Sequence, residues 1–112
     1  MDCRWEADYT IVSLLGHMHE FGTAFQVDWT HGETTETIYE VSQWKPEYRT
    51  NPVINGYAPG ELGVHAGDRF LSTCTWFNDS DSTLVFPTEM CDTVGMLYPS
   101  ETTVACEPGR LP

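Results

Sequence analysis

Apolar and polar side chains alternate over many short stretches of this chain, and nowhere do they recur at the spacing of a helix. From Tyr9 the sequence runs Tyr-Thr-Ile-Val-Ser-Leu-Leu, β-branched and apolar, and continues into Gly16-His17-Met18-His19, which predicts one long strand from Asp8 to Glu20. Phe21, Thr23, Phe25, Val27 and Trp29 then fall on one face of a second strand, with Gly22, Ala24, Gln26 and Asp28 on the other. His31-Gly32-Glu33 reads as a turn, and Thr34 to Ser42 as the returning strand of a hairpin. From Lys45 to Gly60 the breakers Asn51-Pro52, Asn55-Gly56 and Pro59-Gly60 predict a long crossing loop with a short extended piece. Gly67-Asp68 turns into a strand from Arg69 to Phe77; Asn78 to Ser82 is a polar loop; Thr93 to Tyr98 and Thr102 to Cys106 supply the last strands. Short strands separated by Gly, Pro and Asn throughout predict an all-β fold, a single antiparallel β-sandwich of jelly-roll-like form occupying residues 1–112 as one domain.

The alternation gives the histidines their interest. Two of the four, His17 and His19, are two residues apart within a predicted strand, where alternate side chains share a face. Two imidazoles side by side on rigid backbone make half of a metal site suited to Zn, Cu, Fe or Ni, although the same spacing also fits two plain surface histidines. Met18 between them points to the opposite face and is expected in the core, as is Met96. His31 is expected to be solvated in its hairpin turn, His65 to be either a structural residue or a plain turn histidine, and Glu20 to be a surface carboxylate within reach of a ligand imidazole.

Charge and cysteines narrow the setting. Seventeen acidic against five basic residues give a formal charge of −12, which disfavours nucleic acid and anionic membrane surfaces and suits a cationic partner. No apolar run is long enough to span a bilayer. Cys3, Cys74, Cys91 and Cys106 have no Cys-x-x-Cys spacing, so two disulfides are expected rather than a zinc knuckle. Of the three possible pairings, Cys3–Cys106 would tie the ends and Cys74–Cys91 would brace neighbouring strands. Disulfides imply an oxidising compartment, periplasmic or secreted.

Four short motifs follow one another over nearly the whole chain: His17-Met18-His19 with Gly22 after it, Val64-His65-Ala66-Gly67-Asp68 before a strand, Cys74-Thr75-Trp76, and Glu89-Met90-Cys91 leading to Tyr98-Pro99. In this order they resemble the C-terminal domain of the copper type II, ascorbate-dependent monooxygenases, the family of the peptidylglycine α-hydroxylating and dopamine β-monooxygenases. The resemblance implies that His17, His19 and Met90 are ligands of one copper ion at which oxygen is activated, and it implies the disulfides Cys3–Cys106 and Cys74–Cys91. Ligand chemistry is consistent with that set, because a thioether is soft and favours Cu(I) whereas imidazole serves both copper oxidation states. Two nitrogens and one sulfur also leave a coordination position open for dioxygen or peroxide.

Two features depart from the family. Beyond the pair only His31 and His65 remain, too few for the second, three-histidine copper site, so activity is expected to depend on an electron-donor domain or protein, or on ascorbate or another external reductant. Asp92 and Val94 stand where the amidating members carry polar substrate-contacting side chains, which speaks against peptide amidation. The expectation is a mononuclear His2Met copper domain of the monooxygenase type, with no catalytic side chain beyond the metal site. The alternatives are a non-enzymatic carrier or buffer of Cu(I), and a disulfide-stapled sandwich whose histidines are incidental.

Overall fold

A computed structural model describes residues 1–100. Eight strands run in chain order as β1 (Asp2–Arg4), β2 (Tyr9–His17), β3 (Gly22–His31), β4 (Thr34–Val41), β5 (Ile54–Gly56), β6 (Gly63–Val64), β7 (Arg69–Trp76) and β8 (Asp92–Tyr98), with one 3-10 turn at Pro46–Arg49. They form two antiparallel sheets packed as a sandwich, so the all-β expectation holds. The first sheet has the order β1-β7-β3-β4. In the second, β2 is central, with β8 along one side and the short β5 and β6 along the other.

The inward positions set the core. Ile11 and Leu14 from β2 meet Phe25 and Val27 from β3, Tyr39 and Val41 from β4, and Phe70 from β7, with Trp5, Met18, Trp44, Leu62 and Val64 filling the ends. Gly95 is a glycine because a Cβ there would lie 2.5 Å from the Ser13 carbonyl oxygen, backbone that cannot yield without parting β2 from β8. The sheets are also tied by polar contacts. The Ser72 and Thr93 hydroxyls share a hydrogen bond of 2.5 Å between β7 and β8. On the opposite side Tyr39 Oη donates to the Val53 carbonyl at 2.7 Å and Tyr57 Oη donates to the Ile38 carbonyl at 2.6 Å, a reciprocal clasp between β4 and the segment holding β5.

Several local expectations change. The hairpin turn is the tight two-residue type, with His31 paired to Thr34 and Gly32 at φ 60°, the left-handed value that a type II′ turn needs at its first central position. At the start of β3 a bulge between Gly22 and Ala24 shifts the alternation, so Gly22 is buried and Thr23 exposed, the reverse of the expected faces. A Cβ on Gly22 would come within 2.7 Å of the Met18 terminal methyl and 3.1 Å of its Cβ, so the buried Met18 would have to shift. Met96 is 67% exposed rather than core, whereas Leu97 next to it packs against the core. The predicted strand from Thr102 to Cys106, and with it the pairing Cys3–Cys106, lies outside the described residues. Cys74–Cys91 is present, and closing a loop of sequence separation 17 stabilises by about 3 kcal/mol in the loop-entropy picture.

Candidate metal centre

The strand expected to reach Glu20 ends at His17, and residues 18–21 turn the chain from the second sheet to the first. The two histidines therefore do not share a strand face. They come together at the corner where β2 hands over to β3. Gly16 faces the core, since a Cβ there would strike the Phe25 ring at 2.5 Å, so His17 next to it faces outward. Met18 dives back inward and is fully buried, which swings the following residue round towards its neighbour. The result is two imidazoles edge to face, ring centroids 5.0 Å apart and planes at 83°, with Nε2 of His17 facing Nε2 of His19 at 3.2 Å.

Contacts from the far end of the sequence fix His19. Its Nδ1 lies 3.0 Å from the Thr88 carbonyl oxygen. A carbonyl only accepts, so Nδ1 carries the proton and the lone pair of a neutral ring sits on Nε2, aimed at His17. Its own carbonyl accepts from the Trp44 indole N–H at 3.2 Å. The backbone N–H of His19 donates to Glu89 Oε1 at 2.5 Å, the same oxygen accepts the Met90 N–H at 3.1 Å, and Oε2 accepts the Phe21 N–H at 3.1 Å. His19 and Glu89 are both buried. Two bonds to one oxygen hold the backbone nitrogens of His19 and Met90 within about 6 Å of each other. The disulfide beside Met90 pins this turn to β7, and β8 then begins with Asp92 opposite His17.

This arrangement suits a metal ion. Two imidazole nitrogens bound to one ion at about 2.0–2.1 Å in near-tetrahedral geometry stand about 3.3 Å apart. The observed separation is 3.2 Å, and the tautomer of His19 presents the correct nitrogen. Among the described residues no three His, Cys, Asp or Glu side chains converge as a metal-holding group, and a third protein ligand drawn from those residues would be of another kind, such as the Met90 thioether.

The other two histidines lie at the opposite end of the sandwich. His31 is at the far end of β3, about 30 Å along the strand. There it accompanies Glu36 at 2.9 Å and stacks on Trp29 at 3.8 Å. His65 is exposed, 4.0 Å from Asp68. Glu20 is exposed and paired with Arg49, whose guanidinium holds the carboxyl below the usual carboxylate range. The carboxylate behind the site is instead Glu89. Glu89, Thr88 and Trp44 are not among the expected site residues, and the sequence signal for Glu89 is its place as the first residue of the Glu89-Met90-Cys91 motif.

A disulfide-braced β-sandwich with a two-imidazole corner thus defines the molecule. Searches against protein-family models, curated proteins and solved structures found no match, so no family membership is shown.

Proposed function

We propose that this chain is a mononuclear copper-binding domain of the monooxygenase type, with His17 and His19 as nitrogen ligands and Met90 as a soft third ligand. The observation that carries the reading is the convergence of the two Nε2 atoms at 3.2 Å, with His19 Nδ1 committed to the Thr88 carbonyl. The tie of Met90 to His19 through Glu89 supports the third ligand. Copper bound there would supply one-electron redox chemistry and a coordination position open to dioxygen or peroxide. The protein's part would be to hold the His19 imidazole in a single tautomer and orientation through the Thr88 carbonyl, with the partly exposed His17 beside it, and to offer the thioether from the turn that Glu89 ties to His19. Electrons would come from ascorbate, another external reductant or an electron-donor protein. The disulfide is in keeping with an oxidising compartment, for which we propose the periplasm or a secreted location.

Titration of the metal-free protein with Cu(I), in competition with a chromogenic chelator, tests the site. One equivalent should bind tightly, and His17→Ala or His19→Ala should abolish it. Absence of stoichiometric binding, or binding that survives both substitutions, would overturn the reading. Reactivity then separates an oxygen-activating domain from a carrier: the loaded protein should consume oxygen in the presence of ascorbate, whereas a carrier would remain inert and surrender its copper to an acceptor.

A further inference from the structure

Among the described acidic residues only Asp68 and Glu89 are buried, each 8% exposed, and the hydrogen bonds of the Glu89 side chain go to three backbone N–H groups. Removing a carboxylate from water is costly unless donors replace the solvent, and three N–H donors do so. Two of them, at His19 and Phe21, belong to the corner that carries the imidazoles, and the third belongs to Met90. The side chain therefore spans two segments seventy residues apart and joins them at one oxygen. Without this bridge the described hydrogen bonds between the corner and the Thr88–Met90 turn reduce to the single contact from His19 Nδ1 to Thr88.

We propose that Glu89 is a positioning residue, a strut of fixed length that sets where the Met90 thioether stands relative to the His17–His19 pair. The inference rests on the copper-site reading above. What matters in this account is reach as well as charge. Glu89→Asp keeps the charge and shortens the side chain by one methylene, so it cannot serve both segments at once. Glu89→Gln keeps the reach and one acceptor oxygen, so the shared bond between His19 and Met90 can survive while the Phe21 N–H loses its partner.

The ordering of the two variants is the test. In the metal-free protein, backbone amide signals of His19, Phe21 and Met90 should lie downfield, as charge-assisted hydrogen bonds require. Glu89→Asp should move all three upfield, and Glu89→Gln chiefly that of Phe21. With Cu(I) alone as the probe, X-ray absorption should show a sulfur neighbour in the parent protein. That signature should disappear in Glu89→Asp with an affinity loss of about 10–100-fold, the usual consequence of removing a group that orients a ligand, and should persist in Glu89→Gln with a smaller loss. Met90→Leu supplies the reference for a site without sulfur. Glu89→Asp with the sulfur signal and affinity of the parent would overturn the proposal and leave the copper site standing; absence of copper binding in the parent would overturn the copper reading itself. Should Glu89→Asp fail to fold, the Gln variant decides alone: loss of its sulfur signal would show that charge governs, contrary to the proposal.

Discussion

Met18 and Met90 are the two methionines that adjoin the histidine pair, one in sequence and one through Glu89, and packing separates their roles. Met18 has no exposure and lies against Gly22. Its thioether is a core filler, and a volume-conserving change such as Met18→Leu is expected to cost less than about 1.5 kcal/mol and leave copper affinity unchanged. Met90 is half-buried in the turn fastened to His19, and if it is the proposed third copper ligand its replacement should instead change the preference between the two copper oxidation states. Met90→His would exchange a soft ligand for imidazole, so Cu(II) should gain over Cu(I) and the reduction potential should fall, whereas an unchanged potential would remove Met90 from the ligand set. The spacing of His17 and His19 was legible because it needs only local chemistry. Their standing side by side was legible too, but not the corner that brings them together in place of a continuous strand. Glu89 and the Thr88 carbonyl stayed hidden for a related reason: a group seventy residues away in the chain has no periodicity to betray it.

Strands were readable where alternation was long, as in β2, β3, β4 and β7, and unreadable where two or three residues at an edge sufficed, as in β1 and β6. The loop between β4 and β6 shows how such a segment is nevertheless fixed. Its β5 pairs with only three residues of β2, and the reciprocal bonds of Tyr39 and Tyr57 attach it to β4. Burial pushes both phenols above their ordinary value near 10, since the phenolate would be formed away from water. A raised value in the folded state means that the unfolded chain gives up these protons first. The stabilisation is thus complete below pH 10 and is lost as pH rises through the folded values. Thermal unfolding should accordingly shift to lower temperature above pH 10. Tyr39→Phe with Tyr57→Phe should flatten that alkaline decline while costing about 1 kcal/mol per lost hydrogen bond near neutrality. An alkaline limb as steep as that of the parent would show that the clasp does not couple folding to pH.

The charge of the whole chain acts on all these elements together. A formal charge of −12 is held by a molecule with a radius of gyration of 14.4 Å, so typical separations between carboxylates are about 20 Å. That distance lies inside the screening length of about 30 Å at 0.01 M salt and outside the length of about 10 Å at 0.1 M. Unfolding moves the charges apart, and repulsion therefore weighs against the native state at low ionic strength. Salt also weakens attractive pairs, but the arginine pairs among the described residues, Glu20–Arg49 and Asp2–Arg69, are surface contacts worth at most about 1 kcal/mol each. Repulsion should dominate. The melting temperature of the metal-free protein is expected to rise by several degrees between about 0.01 M and 0.3 M sodium chloride, and choline chloride should reproduce the rise if it comes from screening rather than from a bound cation. A rise seen with sodium but not choline would locate the effect in a specific cation site. A fall with both would mean that the few ion pairs outweigh the repulsion of twelve net charges, and that the acidic surface is arranged more favourably than its composition implies.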